Sequence, residues 1–320
     1  MATFEPVRLG ILGTADINRK LLKGASLTDA VRVVAVGSRT EARAQAFATT
    51  FGIPRAHPTY EALLADADVE AVYISLPNAL HHEWSMRALA SGKHVLCEKP
   101  YSRHPENVTA AFDAAESAGL ILSEAFMWRH HPQAARLREL LPGIGRLQTI
   151  RASFSFVLDR EADIRLSTDL DGGSLMDVGC YCVSGARYAS GEEPELVFGT
   201  GVGERGGVDR RFTGVLRFPS GVIAEFTSAF TTDHRGLELI GTDGTILFTD
   251  PWQSLPATVI VDGVESAFEE VDPYQCEIDN LSAAIRGEAE PLLGRADALG
   301  QARAIDALMR SAAGGTGVRL

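Results

Sequence analysis

An α/β chain in two modules is the architecture this sequence predicts: a doubly wound parallel sheet, then an α+β half with a mostly antiparallel sheet. Three observations carry it. At 320 residues the chain exceeds a typical single domain. Residues 7 to about 122 alternate short β-rich runs with helical stretches, the order that gives a parallel sheet covered on both faces. From about residue 145 the strands lengthen, partly alternate in polarity and meet at Gly- or Pro-containing turns, as in an antiparallel sheet with one face on a core.

In the first half the β-like runs are "VRLGIL", "VRVVAVGS", "AVYISLP", "HVLCE" and "LILSEA". They lack polar alternation, which suits strands buried on both faces. Between them "EARAQAFATTFG", "TYEALLAD", "HHEWSMRALASG" and "PENVTAAFDAAESAG" read as helices, each closing on Gly, Asp or a turn signal. The second half offers "LQTIRASFSFVL", "RRFTGVLRF", "GVIAEFTSAFTT", "GLELIGTDGTILFTD" and "ATVIVDGVESAF" as strands. Two helices follow, "YQCEIDNLSAAIRG" and "GRADALGQARAIDALMRSAAGG". The expected domains are 1–124 and 125–320, with the last helix packing back on the first.

Bulk composition removes several function classes. Formal net charge is −12 and the isoelectric point lies near 5.2, whereas nucleic-acid binders carry a basic footprint. No apolar run approaches membrane-spanning length, and "MATFEPVRLGILG" lacks a charged-then-apolar leader. Cys97, Cys180, Cys182 and Cys276 show neither zinc spacing nor a small disulfide framework, so reduced thiols in the cytoplasm are expected. His130 and His131 are adjacent, point apart and have no evident third ligand, so no metal is expected.

"GILGTADIN" follows the first strand and opens a helix. Against the dinucleotide fingerprint, Gly13 takes the tight-turn position, while Ala15 and Asn18 replace the second and third glycines. A helix N-terminus still offers N–H groups and positive dipole to a pyrophosphate. The bland alternative is a strand–turn–helix unit that keeps these residues for packing; the surrounding βαβ pattern favours the cofactor reading. After strand two, NAD-binding folds place an acid on the ribose 2′-OH. This chain has Ser38, Arg39 and Thr40, with the first acid delayed to Glu41. Arg39 can pair with a 2′-phosphate that no carboxylate repels. NADP(H) is therefore the favoured cofactor, with NAD(H) compatible; an exposed turn arginine is the alternative.

Ligands of open parallel sheets collect beyond the carboxyl ends of the strands. "SLPNALHH" and "CEKP" lie there. Lys99 would face the crevice, where its ammonium can stabilise an alkoxide oxygen as hydride leaves or arrives; Pro100 would aim it, through a cis bond by hypothesis. The alternative is an ion pair before a turn proline. Further on, "DLDGGSLMDVGCYCVSGARY" places Asp177 and Tyr181 four apart, on one face of a helix. A phenol near a cation and a carboxylate can exchange a proton with substrate; the alternative is a packed ring. Arg165 can reach a polyol or phosphate, and Trp128 and Arg129 can wall a pocket or simply pack.

The set "GILGTADI", "SLPNALHHE", "HVLCEKP", "SEAFMWRHHPQ" and "GGSLMDVGCY" resembles the glucose-fructose oxidoreductase / inositol dehydrogenase (Gfo/Idh/MocA) family, nearly end to end. That resemblance implies an N-terminal Rossmann domain and a C-terminal α+β domain whose open, mostly antiparallel sheet often mediates dimerisation. It implies Lys99 as the catalytic lysine, Gly13 as the loop glycine and Asp177 as the motif aspartate. The position one turn later, histidine in the inositol dehydrogenase branch, is Tyr181 here. The tyrosine and the Ser38–Arg39 pair resemble the dimeric dihydrodiol and NADP-dependent xylose dehydrogenases and certain keto-sugar reductases.

The expectation is thus an NADP(H)-dependent oxidoreductase acting on a CH–OH or C=O group of a sugar, polyol or dihydrodiol, with aldose dehydrogenation foremost. Lys99, Tyr181 and Asp177 form the expected catalytic group, with Lys99 and Tyr181 converging on one oxygen and either as proton donor. Gly13, Thr14, Ala15, Asp16, Ile17, Ser38, Arg39, Pro77, Asn78, His81, Glu98 and Lys99 form the cofactor set. Arg165, Asp177, Tyr181 and Trp128 form the substrate set. The partners expected are a carbohydrate-like substrate and further copies of this chain, as a dimer or tetramer. A keto-sugar reductase, nucleotide-linked or not, and a non-catalytic NADP-binding regulator are the rivals.

Overall fold

The apolar runs of the first half become strands β1 (Val7–Leu12), β2 (Val31–Gly37), β3 (Arg55–His57), β4 (Ala71–Ile74), β5 (His94–Glu98) and β6 (Leu122–Ala125) in a computed structural model. It describes residues 5–160, 162–203, 207–253 and 258–320; Met1–Phe4 of the N-terminal stretch and Ala257 of the last expected strand run lie outside these. Every pairing among the six strands is parallel, in the order β3-β2-β1-β4-β5-β6. Val7, Leu9, Ile11 and Leu12 of β1 and all of β4 are fully buried, which is why these strands show no alternation. The chain winds outward from β1 to β3 and then returns to β4, so the sheet reverses direction between β1 and β4. Their carboxyl ends open the crevice used by ligands of this topology.

Helices α1 (Asn18–Ala25), α2 (Glu41–Phe51), α3 (Tyr60–Leu64), α4 (His81–Ala90), α5 (Pro105–Ala118) and α6 (Met127–His130) connect and follow the strands. Strand β3 escapes sequence reasoning because "RAH" is three residues long and two of them are charged or polar. Asp66 fixes it, accepting from Arg55 Nε at 2.8 Å and facing His57 Nε2 at 3.0 Å.

The first compact unit comprises residues 1–102, 106–130 and 271–298. Residues 271–298, which the sequence places in the second half, group with it. Pro273, Tyr274, Glu277, Ile278, Leu281 and Ala284 form one buried face of the helix Pro273–Ile285, spaced as an amphipathic helix requires. Gly24 of α1 admits that helix closely: a Cβ there would lie 2.7 Å from Gln275 N.

The second unit comprises residues 103–105, 131–270 and 299–320. Its elements are α7 (Pro132–Leu140), β7 (Leu147–Ser155), α8 (Cys180–Ser190), β8 (Leu196–Gly203), β9 (Asp209–Arg217), β10 (Ile223–Ala229), β11 (His234–Gly241), β12 (Thr245–Phe248), β13 (Thr258–Val261), β14 (Val264–Ala267) and β15 (Val318–Arg319). We number the helices Pro273–Ile285 and Arg295–Gly314 as α9 and α10. Among the described residues the sheet runs β14-β13-β12-β11-β7-β10-β9-β8-β15, antiparallel throughout except for β10 beside β7. Ile150, Ala152, Phe154, Ala224, Phe226, Leu237 and Leu239 are buried on the face that packs against α8. Arg151, Glu225 and Thr213 are exposed on the other. Strand β8 carries three glycines, which hide it from propensity; Gly199 is required there, because a Cβ would meet Leu308 O at 2.7 Å. No described helix is long and apolar enough to cross a membrane.

Candidate active site

The loop after β1 is built by one glycine and one asparagine. Gly13 has φ of +107°, a left-handed backbone that favours glycine. A Cβ would lie 3.1 Å from both Leu76 Cδ2 and Ser75 Oγ. The amides of Asn18, Arg19 and Lys20 turn back onto the carbonyls of Ala15, Asp16 and Ile17 at 3.1, 3.1 and 2.9 Å. Residues 15–17 are therefore a tight turn ahead of α1; Thr14, Ala15 and Ile17 are half-buried and Asp16 is exposed. Asn18, in the place of the third glycine, is fully buried and its Nδ2 donates to Gly13 O at 3.0 Å. The departure from the fingerprint thus swaps close packing for a crosslink that holds the loop shut. Asn18 Oδ1 is buried with no partner among the described residues. A positive-φ glycine turn that runs into a helix N-terminus fits a dinucleotide's pyrophosphate through its backbone N–H groups; Asn18 Oδ1, an acceptor, contributes nothing to an anion.

At the end of β2, Ser38 is buried and its N–H donates to His57 O at 3.3 Å. Thr40 caps α2, accepting from Arg43 N. Arg39 and Arg43 are both exposed. Burial raises the pKa of the Tyr60 phenol, while the charges of these two guanidiniums oppose the rise. Two cations therefore flank one edge of the strand end. Sequence reading missed Arg43, which sits behind the acid Glu41; its spacing of four from Arg39, across the helix cap, was the signal.

Beyond β4, Pro77 and Asn78 are half-buried, and Asn78 opens a single 3₁₀ turn. His81, expected at the cofactor, is corrected by the structure. It is fully buried, and Nδ1 and Nε2 lie 2.9 and 2.8 Å from the carbonyls of Pro100 and Leu76. Burial holds its pKa below the usual range, with those two carbonyls opposing. The ring lies between the turn after β4 and the turn after β5 and, kept neutral by burial, donates to one of the two carbonyls.

Strand β5 ends in Glu98 and Lys99, both half-buried, and the Lys99–Pro100 peptide is cis. Glu98 accepts from the Tyr73 phenol through Oε1 and from Lys99 N at 3.2 Å through Oε2. Lys99 thus leaves the sheet beside the strand that borders the β1/β4 reversal. Trp128, expected as a pocket wall, is 2% exposed, and Arg129 Cζ lies 5.7 Å from its ring centroid. It is a packed tryptophan. Among the described residues no three His, Cys, Asp or Glu side chains gather as a metal site.

In the second unit the "DGG" turn sets the geometry. Gly172 lets the chain touch itself, since a Cβ would lie 2.4 Å from Arg165 O. Gly173 has φ of +111°, and a Cβ there would lie 2.4 Å from Asp209 Oδ1. Asp209 accepts from Ser174 Oγ at 2.6 Å and Leu175 N at 2.8 Å, so it caps the helix from another strand. Burial raises its pKa, against those donors.

The helix begins as a π-helix over Leu175–Gly179 and continues as α8. This corrects the expected α-helical offset between Asp177 and Tyr181: a wider turn carries the aspartate, a feature frequent at functional sites. Arg165 Nε donates to Asp177 Oδ2 at 2.8 Å, and Arg165 Nη1 lies 3.2 Å from Asp163 Oδ1. Tyr181 is 7% exposed. Its ring sits edge-on to Phe154 at 5.2 Å and to Trp252 at 6.1 Å, and Trp252 Nε1 donates to Ser153 O at 2.7 Å. Gly185 makes room for that indole, because a Cβ would lie 2.7 Å from Trp252 Cη2. Arg165 and Asp177 therefore meet in the second unit, with Tyr181 on the helix that follows, while Gly13, Ser38, Arg39 and Lys99 share the strand ends of the first.

Comparison with known proteins identifies these halves. Residues 7–126 match the model of an oxidoreductase family with an NAD-binding Rossmann fold, and residues 135–247 match the Gfo/Idh/MocA C-terminal domain. A D-xylose 1-dehydrogenase (NADP+) of Haloferax volcanii is 41% identical over 97% of this chain and 99% of its own. A solved 3-ketoreductase of Actinomadura kijaniata, in complex with NADP and TDP-benzene, superposes with a TM-score of 0.90 at 31% identity over 96% of this chain and 98% of its own. A solved aldose-aldose oxidoreductase of Caulobacter crescentus gives 0.90 at 28% identity over 98% of this chain and all of its own. The chain belongs to the Gfo/Idh/MocA family of oxidoreductases.

Proposed function

We propose that this oxidoreductase is an NADP(H)-dependent dehydrogenase of aldoses, oxidising a secondary alcohol or hemiacetal carbon. The observation that carries the reading is the β2 end, where Ser38 is followed by Arg39 and Arg43 with no carboxylate before Glu41. The 41% identity to an NADP-dependent xylose dehydrogenase supports the substrate class. Bound NADP(H) supplies the hydride acceptor or donor. The Gly13–Ile17 backbone holds the pyrophosphate, and Ser38, Arg39 and Arg43 hold the 2′-phosphate. Pro77 and Asn78 position the nicotinamide ribose, while His81 keeps their turn tied to the one bearing Lys99.

In this reading Lys99 donates to the reacting oxygen and stabilises charge that develops there. Tyr181 exchanges the hydroxyl proton, with its ring held by Phe154 and Trp252. Asp177, oriented by Arg165, binds a neighbouring hydroxyl. The reaction running toward reduction of a keto-sugar is the second reading, supported by the solved 3-ketoreductase of the same fold. The enzyme is read as cytoplasmic, in keeping with its free cysteines. It is read as a homo-oligomer through the exposed face of the second sheet, where Arg151 pairs with Glu225 and Glu238.

A panel of aldoses, dihydrodiols and keto-sugars, assayed with NADP and NAD in parallel, tests the proposal. Turnover of an aldose with NADP is the expected result. Strong preference for NAD, or silence across the panel with NADPH bound, would overturn it.

A further inference from the structure

Glu277 on α9 is 1% exposed, and neither of its carboxyl oxygens has a partner among the described residues. A buried polar group left unpaired asks for an explanation. Burial first, and then the charge of Glu98, the residue before Lys99, push the pKa of Glu277 up. The two carboxyls differ sharply in their donors. Glu98 accepts from the Tyr73 phenol and from Lys99 N, whereas Glu277 accepts nothing.

We propose that Glu277 keeps its proton beside the half-buried, ionised Glu98, so that the two carboxyls carry one negative charge between them, and that Glu277 is a positioning residue that limits the negative charge beside Lys99. This rests on the reading of Lys99 as the group at the reacting oxygen.

Burying an ionised carboxylate without donors costs several kcal/mol, and two carboxylates sharing a site do not both ionise. The donor count decides which one keeps the charge. Among the described residues no cation pairs with Glu277. Lys23 of α1 pairs with Asp272 at 3.2 Å, and Arg19 and Lys20 of that helix are exposed. Arg129 of α6 pairs with Asp297 at 3.0 Å, and burial keeps His130 uncharged, its pKa lowered to about 3. Arg32 of β2 is exposed. From β4 the facing group is the Tyr73 phenol, itself held protonated by burial and then by Glu98. From α9 itself come Tyr274, Cys276 and Asp279, and no cation. A second carboxylate would tighten the hold of Lys99 on its proton; a neutral acid at 277 prevents that at working pH.

The test compares the holoenzyme with Glu277→Gln, which mimics the neutral acid. Infrared difference titration of the wild type should show the C=O stretch of a protonated carboxylic acid persisting above neutral pH, and Glu277→Gln should lose it. Turnover at neutral pH should be retained within about twofold. The alkaline inflection of kcat/KM should fall by about one pH unit, because the second charge never appears. A wild-type band absent at neutral pH, or retained in the variant, overturns the proton assignment. A lost band with superimposable pH profiles overturns the positioning role. If Glu277→Gln does not fold, ¹³C-glutamate NMR of the wild type decides, since one side-chain carboxyl must stay protonated through neutrality. The spectroscopic arm does not require Lys99 to be catalytic, so failure of the Lys99 reading leaves a distinct signature.

Discussion

Replacing Arg39 and Arg43 together by alanine separates recognition of the 2′-phosphate from recognition of the rest of the dinucleotide. Both guanidiniums are exposed, and both act on the Tyr60 phenol, so they border one small region. A charge-assisted bond to phosphate at a solvent-screened position contributes about 1.5 kcal/mol, the low end for such bonds. Since each 1.4 kcal/mol is a factor of ten, each arginine accounts for about tenfold in affinity. The pair accounts for up to about a hundredfold, an upper bound for neighbouring sites. The double variant should raise KM for NADP+ by about thirty- to a hundredfold, leave KM for NAD+ within about twofold, and lose most of the salt dependence of NADPH binding. Steady-state kinetics with both cofactors and fluorescence titration of NADPH at two ionic strengths read these quantities. A KM for NADP+ that moves less than about threefold, or values for both cofactors that rise together, would refute the assignment.

Three other outcomes follow from the geometry. Gly173→Ala forces a left-handed backbone and a Cβ 2.4 Å from Asp209 Oδ1; about 3 kcal/mol of stability should be lost in urea denaturation, and an unchanged midpoint would contradict the cap by Asp209. Arg165→Ala removes one charged donor from the Asp177 carboxylate and should lower kcat/KM for the sugar about tenfold or more with NADPH affinity unchanged. Acid should destabilise the fold through His81, His82, His94 and His130, whose pKa values burial lowers. Their folded forms stay neutral while the unfolded chain protonates near pH 6.5, so the stability they contribute is present above that pH and lost as pH falls toward their folded values. For His130, lowered to about 3, the loss between pH 6.5 and 5.5 is about 1 kcal/mol, and His130→Phe should lose that much less in denaturation at the two pH values.

The first sheet was legible because its central strands are buried on both faces, which removes alternation and leaves an apolar signature in β1 and β4. Strand β3 and strand β8 were not, since a three-residue "RAH" and a glycine-rich "LVFGTGVG" form through partners distant in sequence. The amphipathic face of α9 is visible in the spacing, but what it covers is not: α1 lies some 250 positions earlier in the chain, and the contact is declared only by Gly24. The π-helical turn at Asp177 left no periodic trace over five residues; it is imposed by Gly172, Gly173 and the remote Asp209. His81 and Trp128 were misplaced for one reason. Their positions next to strand ends suggested a ligand, and burial supplied partners that no local pattern announces. The places of Lys99, Gly13 and Arg39 beyond strand ends were legible because the apolar run marks where each parallel strand stops.

Whether Lys99 works chiefly at the reacting oxygen, with little share in holding the cofactor it borders, is tested most directly by the single-turnover rate of Lys99→Met at saturating NADP+ and sugar, beside its Kd for NADPH. The rate should fall by about 10²- to 10⁴-fold, with Kd within about twofold of the wild type. A rate unchanged by the substitution would contradict the account.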